Sequence, residues 1–125
     1  MNQPQKPWCL FIEDEQNWWR LLKLVLEECG YQVDAPKNAV KLDETFALRR
    51  KFYLIVFDGC LWYKTWINYI QEIKHCLGPD SRLICISSDE AVATAAARVF
   101  RREVEYSGKD PIALERLLLE PQLVR

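Results

Sequence analysis

Residues 54–66 read LIVFDGCLWYKTW, and this stretch decides how the rest of the chain is interpreted. An apolar run rich in β-branched residues ends on a single aspartate, Asp58, followed by Gly59 and then a cluster of aromatic residues. A short continuous apolar run bounded by a turn signal fits a strand buried on both faces, the habit of parallel sheets. The carboxylate at the mouth of that strand has to be satisfied by a metal, a cation or a covalent modification, because a buried charge without a partner is costly. The plainer alternative is a strand-end residue capping a turn, with Gly59 making the bend.

Outward from this strand, apolar runs alternate with helical patterns. WCLFI (Trp8 to Ile12) is a second doubly buried strand. After it Trp18, Leu21, Leu22, Val25, Leu26 and Cys29 follow the i, i+3, i+4, i+7 spacing of an amphipathic helix. Gly30 is placed to cap that helix at its C-terminal end. YQVDA is a weaker strand before Pro36, and Asn38 can cap a second helix carrying Val40, Phe46 and Leu48. Beyond Asp58 the pattern predicts a helix from about Lys64 to Cys76, broken by Gly78-Pro79-Asp80. RLICI is the next buried strand, followed by an alanine-rich helix capped by Ser88 or Asp89, the short strand VEY and a last helix from Pro111 to Leu119. Strands alternating with helices imply an α/β fold, one five-stranded parallel sheet with helices on both faces. Residues 1–125 are expected to form a single stand-alone domain.

Composition narrows the partners. With 50% hydrophobic residues among 125, the chain can bury a real core. A net charge of -1 and scattered basic residues give no pull toward nucleic acid or an anionic membrane. No apolar stretch is long enough to span a bilayer, and the N-terminus lacks the charged head and long apolar core of a signal peptide. The five cysteines, Cys9, Cys29, Cys60, Cys76 and Cys85, are odd in number and show no Cys-x-x-Cys spacing. Several sit in apolar runs, which points to a reduced, cytoplasmic protein without a structural zinc site. His75, the only histidine, reads as a surface residue near the end of the third helix.

In open α/β sheets, ligands bind outside the carboxyl ends of the strands. The polar residues at those ends are Glu13, Asp14 and Glu15 after the first strand, Asp58 after the third, Ser87 and Ser88 after the fourth, and Lys109 beyond the fifth. Acidic groups gathered there repel one another unless a divalent cation joins them, and a few hard oxygen ligands partly open to water suit Mg²⁺. A lysine and a hydroxyl beside such a cluster can bind a further anion, and a carboxylate can itself be the nucleophile toward a phosphoryl group.

From about Trp8 to Leu119 the sequence resembles the receiver domains of bacterial two-component response regulators. The resemblance rests on FIEDE for an acidic pair, LIVFD for a phosphoacceptor, LICISS for a hydroxyl and YSGK for a lysine. It implies a flavodoxin-like, doubly wound (β/α)5 fold with strand order 2-1-3-4-5. It implies that Asp58 is phosphorylated, that Asp14 binds Mg²⁺ directly, that Glu13 acts mainly through a bound water, and that the backbone carbonyl of Cys60 is a further ligand. Ser87 would donate a hydrogen bond to the phosphoryl group and Lys109 would pair with one of its oxygens. Tyr106 would be the aromatic switch that moves inward when Ser87 engages phosphate.

The same resemblance implies a sensor histidine kinase or histidine phosphotransfer protein as donor, and a downstream protein target. The target would bind the face of the fourth helix, fifth strand and fifth helix, here with Phe100, Arg101 and Tyr106. The domain would assist its own phosphorylation and slow dephosphorylation without being a turnover enzyme. Exposed aromatics are favoured interface anchors, so Trp19 and Trp62 are expected at the donor contact.

Departures from the family's pattern cluster around the same site. Trp62 stands for the usual proline after the phosphoacceptor, Trp66 for a glycine, and Arg102-Glu103 for a small Gly-Ala pair before the last strand. Lys109 is followed by Asp110, with Pro111 one residue later. A non-proline cis bond costs roughly 3 kcal/mol, so the Lys109–Asp110 bond is expected to be trans, which leaves open how Lys109 is aimed. Cys60 and Asp89 fall at two positions that tune phosphate lifetime in the family. The alternative function is a pseudo-receiver, an interaction module with this fold but no phosphoryl chemistry. Retention of Glu13, Asp14, Asp58, Ser87 and Lys109 argues against it. An aspartate-nucleophile phosphatase of the haloacid-dehalogenase type needs a second aspartate where Cys60 stands.

Overall fold

The structure, a computed structural model, describes residues 5–59 and 69–120. Strands and helices alternate through them: β1 (Trp8–Ile12), α1 (Gln16–Glu28), β2 (Gln32–Asp34), α2 (Ala39–Ala47), β3 (Phe52–Asp58), α3 (Ile70–His75), β4 (Leu77–Ile86), α4 (Glu90–Phe100), β5 (Glu105–Ser107) and α5 (Pro111–Leu119). The strands make one five-stranded sheet, parallel throughout, in the order β2-β1-β3-β4-β5. This is the flavodoxin-like winding expected from the sequence.

Successive strand residues point to opposite faces, and here both faces are covered. Leu10, Ile12, Ile55, Phe57, Leu83 and Cys85 join a cluster with Phe46 of α2, Ile73 of α3, and Ala93 and Ala96 of α4. Their alternate neighbours Cys9, Phe11, Leu54, Val56, Ile84 and Ile86 join another with Leu22 and Leu26 of α1 and Leu114 of α5. Each large side chain buried in this way contributes about 1.5–3 kcal/mol. The double coverage is why the central strands read as unbroken apolar runs.

Local signals fix the helix ends. Gly30 has φ 100, and its N–H bonds the Glu27 carbonyl at 3.1 Å while the Tyr31 N–H bonds that of Leu26 at 3.2 Å. That pair of bonds is a Schellman cap on α1. Asn38 Oδ1 accepts from the Lys41 N–H at 2.9 Å to start α2. For α4 the cap is Asp89 rather than Ser88, with Oδ1 accepting from the Ala91 N–H at 2.9 Å. In α2 the buried residues are Leu42, Thr45 and Phe46, whereas Val40 and Leu48 are exposed.

The third helix and fourth strand differ from expectation. Residues 64–68 of the expected helix lie outside the described residues; the described part ends at His75, capped by Cys76. Gly78-Pro79-Asp80 belongs to β4, which begins at Leu77. Pairing jumps from Phe52↔Leu77 to Leu54↔Arg82, so residues 78–81 bulge out of the ladder. Pro79 has no N–H to give that ladder. Side chains hold the bulge in place. Ser81 Oγ donates to the Phe52 carbonyl at 2.6 Å and accepts from the Gly78 N–H at 2.8 Å. Arg102, at the first position of the atypical Arg-Glu pair, donates to the carbonyls of Ser81 at 2.6 Å and Gly78 at 3.3 Å.

Cys9, Cys29 and Cys76 are free thiols, and Cys60 lies outside the described residues. Among the described residues no helix is long and apolar enough to cross a membrane.

Candidate functional site

Sheet register assembles the polar strand ends. Ile12 pairs with Phe57 across β1 and β3, so Glu13 and Asp58 emerge side by side. Asp58 pairs with Ile86 and Ile86 with Ser107, which places Ser87 and the Gly108-Lys109 turn at the same edge. Asp58 is 1% exposed.

Gly59, in the turn that ends β3, is also a point of close approach. It is not in the left-handed region. A Cβ at this position would lie 2.5 Å from Val92 Cγ1 and 2.7 Å from Cys85 Sγ. The glycine therefore lets α4 pack against the end of β3.

Lys109 is the cation that Asp58 requires. Its Nζ lies 2.6 Å from Asp58 Oδ2, 2.9 Å from Glu13 Oε1 and 3.1 Å from Glu15 Oε2. The ammonium also sits 5.7 Å from the ring centroid of half-buried Trp18. The described residues contain no cis peptide bond, so Lys109 reaches the site from a trans linkage. Asp110 does not oppose it. Its Oδ1 accepts from the Ile112 N–H at 3.0 Å, making it the N-cap of α5 with Pro111 in the first turn. The displaced proline thus starts a helix, and the extra carboxylate faces that helix's positive end.

The two carboxylate oxygens of Glu13 are held differently. Its Oε2 accepts from the N–H groups of Asp14 at 3.0 Å and Glu15 at 3.3 Å. Its Oε1 is buried and makes no hydrogen bond among the described residues; it pairs with Lys109 by distance, off the hydrogen-bonding direction. Burial first, then the neighbouring Asp58 carboxylate, push the Glu13 carboxyl from 4.5 up to about 8, with Lys109 offsetting part of the rise. Burial works against the Lys109 ammonium, but the carboxylates of Asp58, Glu13 and Glu15 around it outweigh that and hold it charged above the ordinary lysine range.

Carboxylate oxygens of Glu13, Asp14 and Asp58 all lie within 4.8 Å of one another, with Asp14 exposed and the other two buried. An all-oxygen set with one solvent-facing member and a buried, unbonded oxygen fits a hard divalent cation such as Mg²⁺. Lys109 brings a positive charge to the same carboxylates. Ser87 is fully buried, and its Oγ accepts from the Asp89 N–H at 3.0 Å. The half-buried Tyr106 donates its hydroxyl to the Ser87 carbonyl at 2.8 Å, tying the expected switch residue to the expected hydroxyl position.

The expected interface residues fare differently. Phe100 is 6% exposed and packs 6.2 Å from Phe57, so it is core rather than partner surface; the last turn of α4 points it inward. Arg101 next to it is exposed and left-handed, with φ 54. Trp19 is half-buried, its indole N–H donates to the Ala35 carbonyl at 3.2 Å, and the ammoniums of Lys23 and Lys37 lie 5.6 and 5.4 Å from its ring. It packs α1 against the segment after β2 instead of standing free as an anchor. Trp62 and Cys60 lie outside the described residues. His75 is exposed and borders a cleft of about 360 Å³ between α2 and α3 that also includes Asp43, Phe46 and Glu72, away from the acidic cluster.

The sequence places Glu15 at this edge without a specific role and Trp18 in the core, yet Glu15 pairs with Lys109 and the Trp18 ring lies beside its ammonium. The signal lay in the third acidic residue of FIEDE, which directly follows the metal-type pair.

No protein-family model matches this sequence, and no curated protein matches it. Solved structures do. A response regulator protein from Burkholderia pseudomallei, determined with a phosphorylated aspartic acid, a calcium ion and citrate, is 22% identical, with a TM-score of 0.68 over 93% of this chain and 67% of that one. A response regulator from Thermotoga maritima is 21% identical, with a TM-score of 0.66 over 90% of this chain and 94% of that one. The receiver domain of NtrC4 from Aquifex aeolicus is 29% identical, with a TM-score of 0.62 over 90% of this chain and 91% of that one. The chain has the fold of response-regulator receiver domains over nearly its whole length.

Proposed function

We propose that this receiver-like domain is a phosphoacceptor. Asp58 takes a phosphoryl group from a phosphohistidine of a sensor histidine kinase or phosphotransfer protein, in a Mg²⁺-dependent step, and a downstream protein reads the result. One Asp58 oxygen forms the bond to phosphorus as the bond from phosphorus to the donor imidazole nitrogen breaks, and the imidazole keeps the electron pair. The observation that carries this reading is the buried Asp58, 2.6 Å from Lys109 Nζ and within 4.8 Å of the Glu13 and Asp14 oxygens. Fold alone does not fix function; a constellation of nucleophile, acidic ligands, cation and hydroxyl at one sheet edge is what phosphoryl transfer by positioning and electrostatics requires.

Each residue has a part. Glu13, Asp14 and Asp58 would hold Mg²⁺, whose charge offsets that of the phosphoryl oxygens. Lys109 pairs with a phosphoryl oxygen once Asp58 carries the acyl phosphate. Ser87, with Oγ already accepting from the Asp89 N–H, turns its O–H to another. Tyr106, bonded to the Ser87 main chain, is placed to follow that movement. The domain assists this transfer and the slow hydrolysis of its own product, so it is a signalling module rather than a turnover enzyme, acting in the cytoplasm.

Intact-protein mass after incubation with a small-molecule phosphodonor tests this, with and without Mg²⁺ and with Asp58→Asn. A Mg²⁺-dependent gain of one phosphate, absent in the variant, is expected. No gain from folded protein, beside a receiver that does react, would turn the reading to a phosphorylation-independent interaction module.

A further inference from the structure

We infer that Glu15 is a positioning residue: it holds the Lys109 ammonium at the mouth of the site when a divalent cation takes the oxygens of Glu13 and Asp58. This rests on the metal-binding reading above.

Lys109 is shared among three carboxylates, and they are not equivalent. Asp58 and Glu13, at 2.6 and 2.9 Å, are 2% and 0% exposed at their side chains. Both belong to the cluster whose oxygens can meet a metal, and Glu15 does not. Glu15, at 3.1 Å, is 64% exposed. A cation that engages Glu13 and Asp58 therefore competes with Lys109 for its two inner partners and leaves the outer one. Without an outer partner the ammonium would face the incoming cation at close range or swing away from the place where a phosphoryl oxygen arrives.

The local structure at Glu15 is consistent with this role. Glu15 is the N-cap residue of α1, yet its side chain makes no capping bond. N-cap positions favour short side chains that bond back to the helix, and the longer glutamate here is directed across to β5's exit, 94 residues away in sequence. The next turn brings Trp18, whose ring faces the same ammonium at 5.7 Å, a distance at which the ring quadrupole attracts a cation. Glu15 and Trp18 thus bound the outer side of the ammonium while Asp58 and Glu13 bound the inner side.

The test is a double-mutant cycle on Mg²⁺ binding, followed by amide chemical shifts in the intact chain. Glu15→Gln is expected to raise the Mg²⁺ dissociation constant about threefold, the scale of an exposed ion pair. In a Lys109→Met background the same change is expected to have little effect, because the residue acts through the lysine. If Lys109→Met does not fold, Lys109→Gln provides the same comparison. An equal loss in both backgrounds would reduce Glu15 to one more nearby charge and overturn the inference, as would no loss in either. Failure of the unaltered chain to bind Mg²⁺ would instead bring down the metal reading itself, and this inference with it.

Discussion

The two ends of the sheet each bury a basic side chain among acids, and they resolve it in opposite ways. At the amino ends of the strands Arg82 meets Glu105 through two bonds, Nε to Oε2 at 2.9 Å and Nη2 to Oε1 at 2.6 Å. Charge is matched one to one, with the fork geometry that suits arginine and carboxylate. At the carboxyl ends one ammonium serves Asp58, Glu13 and Glu15, Asp14 stands beside them, and Glu13 Oε1 makes no hydrogen bond among the described residues. The first end is finished by folding. The second keeps an excess of negative charge that a ligand can settle, which is the usual mark of a working site rather than a structural one.

If that contrast is right, breaking the finished end costs the most. Arg82→Met would leave Glu105 unpaired where the two side chains are only 10% and 18% exposed. The expected loss is about 3 kcal/mol, or roughly 10 °C in melting temperature for a domain of this size. Replacing both, with Glu105→Leu added, should recover most of it, because a buried pair is costly mainly when half of it remains. A single-variant loss below about 1 kcal/mol would mean the pair behaves as a solvated surface bridge, and the two ends would differ less than their geometry implies. Denaturant unfolding gives both numbers.

At the unfinished end the sign should reverse with pH. The folded state raises the Glu13 carboxyl to about 8 from 4.5, so between those values the native chain binds a proton that the unfolded chain does not. That contribution is fully present below about 4.5 and is lost as pH rises through 8, at up to about 1.4 kcal/mol per pH unit. Glu13→Gln keeps the shape and cannot ionise. Metal-free, it should match the parent near pH 5 and exceed it by about 1–2 kcal/mol at pH 9. Parallel stability curves for the two proteins would show that Glu13 is already ionised in the native state.

Most of this was legible because the signals are local. Continuous apolar runs, a Gly30 cap and polar residues at strand ends need no knowledge of distant residues, and they point to the layers and to the cluster of Glu13, Asp14, Asp58 and Lys109. What was not legible depends on tertiary approach. Gly59 reads only as a turn residue, and its second role shows when α4 is seen pressing on it. Gly78-Pro79-Asp80 has the composition of a linker, and it becomes a bulge within a strand only because Arg102 and Ser81 bond its backbone. Phe100 reads as a surface residue beside Arg101 until α4 is docked and its ring is found against Phe57. The reach of Lys109 was hidden for the same reason, since the lysine's partners come from β1, β3 and the start of α1.

Asp110 sharpens the comparison, because it is an acid at the unfinished end that is nonetheless satisfied. Its carboxylate caps α5 through the Ile112 N–H and precedes Pro111, so it is part of the scaffold and not of the acidic cluster a few ångströms along the chain. Asp110→Ala should cost about 1 kcal/mol, the worth of an N-cap. Asp110→Asn should cost only a few tenths, because asparagine caps as well as aspartate and loses just the charge–dipole part. Thermal unfolding of the two variants reads the difference, and neither should alter Mg²⁺ binding measured alongside. Were Asp110→Asn to tighten or weaken that binding severalfold, the carboxylate would be acting on the cluster after all. The boundary between the settled and unsettled charges would then run through α5 instead of through Lys109.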